Sequence, residues 1–167
     1  RQKSAEILNE IKKHNKVVIM GHKFSDNDAV GASVAMEYFC RQNGVNAKVV
    51  IDEKKSLAGP LIKYLEDNGY DKFIDHDDCK RFCDSMTLVI VVDTHVVSLL
   101  ESEAVYNDGG SKIIIDHHRR TADYIDNAEI FYHSPLSSSA CEMVSELLEY
   151  STTRIDLPAE IATALLA

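Results

Sequence analysis

Three apolar runs set the terms for any fold of this chain: "KVVIM" at 16–20, "TLVIVV" at 87–92 and "KIII" at 112–115. None alternates apolar with polar residues, so none has a wet face. Strands of this kind are buried on both sides, which requires helices above and below a parallel sheet. The segments between them supply those helices. "AEILNEIKKH" has Ile7, Leu8 and Ile11 at helical spacing, and "DAVGASVAMEYFCRQNG" reads as a helix that Asp28 can cap and Gly44 can end. "PLIKYLEDNG" opens with a proline suited to a first turn and closes on Gly69. "NAKVVID", a weak segment around Phe73 and "EIFYH" add strands, and a short helix is expected around Cys79. Near the end, "SSSACEMVSELLEY" carries a capping box of Ser139 and Glu142, and "PAEIATALLA" begins a further helix. Strands alternating with helices predict an open, mainly parallel α/β sheet. There is no internal repeat.

The apolar runs end on ionisable residues. The first leads to Gly21, His22, Asp26 and Asp28, the second to Asp93, Thr94 and His95, the third to Asp116, His117 and His118. In a parallel sheet these ends share one edge, the edge where open α/β sheets bind ligands. Crowded carboxylates repel, and burying them unpaired is expensive. Cations resolve the conflict: oxygen and imidazole ligands together suit Mn²⁺, Fe²⁺, Co²⁺ or Zn²⁺. Two ions sharing a carboxylate, roughly 3.5–4 Å apart, would make a phosphoester-cleaving centre. Arg119 and Arg120 follow directly and offer forked donors to a phosphate.

Singly, each residue has a plainer role. Asp28 serves as a helix cap, Asp93 as a strand end, the two arginines as a solvated pair, and Ser137 to Ser139 as capping residues. Three groups at successive strand ends are what give the set its weight. His14, His76 and His133 show no partner pattern, and "IDHDDC" lacks the glycine and distal glutamate of a calcium loop, so it reads as a solvated helix start.

A net charge of −9 argues against gripping long nucleic acid through many phosphates. It leaves room for a small phosphate ligand, because bound divalent ions reverse the local sign. Cys40, Cys79, Cys83 and Cys141 form no zinc pattern and read as free thiols. No apolar run reaches membrane-spanning length and no signal-peptide pattern opens the chain.

Together, "GHKFSDNDAVGA", "VVDTH" and "DHHRR" resemble the motifs of the DHH phosphoesterase superfamily. The first matches His-x-x-x-Asp-x-Asp, with Asn27 at the variable position where methionine is usual. With "SSSACEMVSELLEY" following, the pattern is most similar to the DHH domain of GdpP-type cyclic-di-AMP phosphodiesterases, and it runs over nearly the whole chain. The resemblance implies a Rossmann-like DHH domain that hydrolyses cyclic di-AMP to pApA, with two divalent metal ions, Mn²⁺ foremost. His22 and Asp26 would hold one ion, Asp28 and His117 the other, and Asp93 would bridge them. Asp116 would orient the histidines, and His118 would face the substrate phosphate.

The related activities are hydrolysis of short linear oligonucleotides, as in nanoRNase- and RecJ-type enzymes. A catalytically silent nucleotide-binding domain is the reading from another class. The resemblance further implies a cytoplasmic domain whose parent protein is anchored in the bacterial membrane by parts outside this chain, and it leaves a homodimer open. A fourth motif, with another metal-binding aspartate, is expected just after a segment like "ATALLA". Neither it nor a DHHA1 domain lies within residues 1–167, so weak or no activity is expected of this chain alone.

Overall fold

The computed structural model describes residues 2–150 and 156–167. Helix α1 (Gln2–Lys12) leads into β1 (Lys16–Met20), α2 (Asn27–Gln42), β2 (Asn46–Val50), α3 (Gly59–Asp67), β3 (Phe73–Ile74) and α4 (His76–Phe82). Strand β4 (Leu88–Val92), α5 (Glu103–Asp108), β5 (Lys112–Asp116), β6 (Ile130–His133), α6 (Ala140–Glu149) and α7 (Ala159–Leu166) follow. The six strands form one sheet in the order β3-β2-β1-β4-β5-β6, and every pairing is parallel.

The apolar runs behave as their composition demands. Successive side chains of a strand point to opposite faces. In β1, Val17 and Ile19 enter one core with α1, α2, α3, α6 and α7, while Val18 and Met20 enter the other with residues of α4 and α5. In β5, Ile113 and Ile115 join the first core and Ile114 the second. Every residue of β4 and β5 is buried. All four cysteines are buried and free. None of the described helices is long and apolar enough to cross a membrane.

Two local expectations are corrected. Asp26, not Asp28, caps α2: its Oδ1 accepts the Ala29 N–H at 2.9 Å. The box at α6 is not reciprocal. Ser139 Oγ accepts the Glu142 N–H, but the Glu142 carboxylate takes the N–H of Ser138 instead of that of Ser139. The 3₁₀ turn Val97–Leu99 and α5 were not anticipated, although Ser102, which caps α5 by accepting from Val105 N, was a readable signal.

Chain order reverses between β1 and β4. From β1 the chain moves outward to β2 and β3, then returns to build β4, β5 and β6 on the other side. The connections from β1 and β4 therefore diverge and leave a crevice beyond their carboxyl ends, the usual ligand site of such sheets.

Candidate metal centre

At that crevice the three predicted groups meet. His22 leaves the end of β1, and its loop is tied to the loop after β4: Lys23 N–H donates to Leu99 O at 2.7 Å and Glu101 N–H to Gly21 O at 3.0 Å. Asp93 follows β4 with φ of 65°, a left-handed conformation that only a few per cent of non-glycine residues adopt, aspartate more readily than most. Its N–H still donates to Ile115 O, so the strand pairing holds up to the residue where the backbone turns.

The Asp93 carboxylate is 2% exposed, and its two oxygens look in different directions. Oδ2 lies 3.2 Å from His22 Nε2, and Oδ1 lies 3.2 Å from His117 Nε2. Each histidine has a second carboxylate close by. Asp26 Oδ1 is 3.7 Å from His22 Nε2, and Asp28 Oδ2 is 3.7 Å from His117 Nε2. The result is two histidine–carboxylate pairs that share one buried aspartate.

The supporting bonds suit metal ligation. His22 Nδ1 sits 2.8 Å from the Lys23 carbonyl, which can only accept, so the proton is on Nδ1 and Nε2 faces the carboxylates. Asp28 is steered from 112 residues away: its carboxylate oxygens accept the N–H groups of Ala140 and Cys141, both at 2.9 Å. Those are orphan donors in the first turn of α6, a natural anion seat. Asp28 therefore caps a helix, but not its own.

The charges are strongly coupled. The carboxylates of Asp26 and Asp93 raise His22 to about 10, and His22 in turn holds Asp26 down at about 2. Burial, with Asp28 and Asp26 nearby, pushes Asp93 up despite His22. A site in which a buried carboxylate resists ionisation and a histidine must carry a proton to offset it fits a cation in the proton's place. Among the described residues, His22, Asp26 and Asp93 form one grouping able to hold a metal ion, and Asp93, Asp116, His117 and His118 form another.

Within the second grouping Asp116 has its lone pairs engaged. Oδ1 accepts from His118 Nδ1 at 2.7 Å and from the backbone N–H of His117 and His118, and Oδ2 lies 2.5 Å from His95 Nδ1. It organises the segment instead of facing the crevice. Burial pushes Asp116 up, but the His95 and His118 bonds outweigh it and leave the carboxyl below its usual range. His118 is opposed in the same way: burial lowers it, and Asp116 more than compensates.

Of the predicted phosphate contacts, Arg120 lies over the rings of Tyr124 and Phe131 at 4.6 and 5.1 Å, a stack that fixes its plane, and Arg119 is exposed. All three histidines set aside on sequence have partners here, His14 through Nε2, 3.0 Å from Glu10 Oε2. His76 Nδ1 is 2.6 Å from Ser102 Oγ, and His133 Nε2 donates to the His118 carbonyl. The "IDHDDC" stretch is a helix start: Asp75 accepts from Asp78 N.

A family model described as "DHH family, N-terminal domain" matches residues 16–167. The chain belongs to the DHH family. It is 36% identical over 159 residues to the cyclic-di-AMP phosphodiesterase GdpP of Bacillus subtilis (strain 168), covering 92% of this chain and 24% of that protein. The chain thus spans about a quarter of that relative's length. Among solved structures, an exopolyphosphatase-related protein from Bacteroides fragilis superposes with a TM-score of 0.80 at 21% identity, over 99% of this chain and 48% of the other. The exonuclease RecJ bound to manganese superposes with a TM-score of 0.53 at 12% identity, over 99% and 42%. These likenesses establish the fold, a DHH-type parallel α/β sheet.

Proposed function

We propose that this chain is the catalytic domain of a metal-dependent phosphodiesterase that opens cyclic di-AMP to linear pApA. The observation that carries the reading is the division of the Asp93 carboxylate between two histidine–carboxylate pairs. A single carboxylate so placed suits two cations held side by side. His22 and Asp26 would hold one, Asp28 and His117 the other, with Mn²⁺ favoured by the mixture of oxygen and imidazole donors. Two such ions, when bound, turn a water into a strong nucleophile near neutral pH and offset charge on the phosphoryl oxygens.

The chain's own residues do the rest. Asp116 holds His118 by Nδ1, so the opposite ring nitrogen, Nε2, is free to meet a phosphate oxygen. The raised His118 keeps a proton available there for the oxygen that departs. Arg119 and Arg120 would receive the non-reacting phosphate oxygens, with Arg120 preorganised by its aromatic stack. The substrate assignment is supported by the 36% identity to a cyclic-di-AMP phosphodiesterase along most of the chain.

The test is a rate comparison on cyclic di-AMP and pApA, using the full-length natural protein with Mn²⁺. Consumption of the cyclic substrate with accumulation of pApA is expected. Consumption of pApA with the cyclic compound untouched would move the enzyme to short linear oligonucleotides. Binding without turnover of either would make it a nucleotide-binding domain.

A further inference from the structure

His95 lies outside the two metal pairs, yet it is 2% exposed and bonded on both sides of its ring. Nδ1 lies 2.5 Å from Asp116 Oδ2, and Asp116 is completely buried. On the far side the backbone N–H of Thr121 points at His95 Nε2 from 3.2 Å. An amide N–H can only donate, so Nε2 carries a lone pair and the ring proton sits on Nδ1, directed at the carboxylate. The Thr121 hydroxyl lies farther from the same nitrogen, at 3.4 Å, and donates its proton to Asp123 at 2.8 Å, so the amide is the shorter contact at Nε2. Further contacts hold the ring. His133 and Phe131 lie beside it, with centroids at 5.9 and 6.3 Å, and the His95 carbonyl accepts from Ile125 N at 2.7 Å.

We propose that His95 is a positioning residue that sets His118 and the arginine segment together. Through Nδ1 it takes one oxygen of Asp116, leaving the other to orient His118 and the backbone of His117 and His118. Through Nε2 it pins Thr121, the residue that follows Arg119 and Arg120. One imidazole thereby locks the two ends of the segment expected to meet the phosphate. An aliphatic residue would fill the space and do neither. This inference rests on the reading of His118 as the group that faces phosphate.

Three substitutions in the full-length protein separate the two bonds. His95→Asn places an amide N–H near the Nδ1 position, His95→Gln an amide near Nε2, and His95→Leu neither. With Mn²⁺ and cyclic di-AMP, kcat of His95→Leu is expected to drop by roughly 10–100-fold, with KM changed far less. His95→Asn should recover a large part of that loss and His95→Gln much less. Equal kcat for the Asn and Leu variants, or an unimpaired Leu variant, overturns the proposal. If the Leu variant does not fold, the Asn and Gln variants carry the comparison, and equal kcat for those two overturns it.

A second readout needs no turnover. Imidazole ¹H–¹⁵N spectra of the metal-free protein should show His95 protonated at Nδ1 and bare at Nε2. They should also show the His118 Nδ1 proton signal displaced in His95→Gln relative to wild type. The opposite His95 tautomer, or an unmoved His118 signal, overturns the positioning role. If the wild-type protein ignores cyclic di-AMP, the substrate assignment fails by itself, and these spectra still decide the role of His95.

Discussion

Asp28 and Cys141 are 113 residues apart in the chain, yet the Asp28 carboxylate accepts the backbone N–H of Cys141 at 2.9 Å. The bond joins the start of α2 to the start of α6 and aims a candidate metal ligand with a helix terminus. Replacing Asp28 should therefore injure fold and site together. Asp28→Ala should lose about 1 kcal/mol of stability, the usual worth of a helix cap, in urea unfolding with EDTA present. Asp28→Asn, which keeps an accepting oxygen, should lose less, while both variants weaken Mn²⁺ binding in calorimetry. An Ala variant that unfolds at the wild-type urea concentration contradicts the cap.

Asp93 is the one carboxylate that reaches both histidines. Asp93→Asn keeps the shape and removes the charge that both cations would share. Hydrolysis should fall by at least about a hundredfold, more than for loss of a residue that only supports a ligand. Metal analysis of the full-length protein should show fewer than two Mn²⁺ per chain. Full metal content with unchanged rates would exclude Asp93 as the bridge.

The His22–Asp26–Asp93 group predicts opposite pH trends with and without metal. His22 rises from an ordinary 6.5 to about 10, so its contribution to stability is complete below 6.5 and is lost as pH climbs through 10. Asp26 drops from 3.8 to about 2, so its contribution is present above 3.8 and disappears as pH falls through 2. In EDTA, stability should thus be greatest between about pH 4 and 6.5 and decline toward pH 10. Mn²⁺ must displace the His22 proton, so its affinity should increase across the upper part of the same range. Urea titrations at pH 6, 8 and 9.5, with Mn²⁺ or EDTA, read both trends. Parallel trends in the two series would refute the coupling.

Gly31 is needed for a reason unrelated to chemistry. A Cβ there would lie 2.3 Å from the Ala164 carbonyl oxygen and 2.9 Å from Cys141 Sγ. Helices α2, α6 and α7 meet at this point, and the obstructing Ala164 atom is backbone. Gly31→Ala should destabilise the protein by about 1–3 kcal/mol through overpacking, measured by thermal or urea unfolding. Any gain in stability would show that α7 can move away at little cost.

The layout of the sheet was legible because it depends on local patterns. The unbroken apolar character of "LVIVV" and "KIII" demanded cover on both faces, and Gly44 and Gly69, at φ of 77° and 91°, end α2 and α3 where a left-handed residue was needed. The ionisable residues at the ends of β1, β4 and β5 were legible for the same reason, since parallel strands bring their carboxyl ends to one edge. Composition and motif thus determined the fold class, and membership of the DHH family followed from the same residues.

Only the tertiary structure decided who bonds to whom. It made Asp26 the cap of α2 and sent Asp28 to α6. It divided the oxygens of Asp93 between His22 and His117, and it drew His95 into the Asp116 network. Sequence pattern registers spacing along one element, but a carboxylate's direction depends on backbone turns such as that at Asp93 and on donors brought from distant segments. Those donors are hydrogen-bonding groups released by other elements, such as the first turn of α6, and they come within reach only when the layers pack.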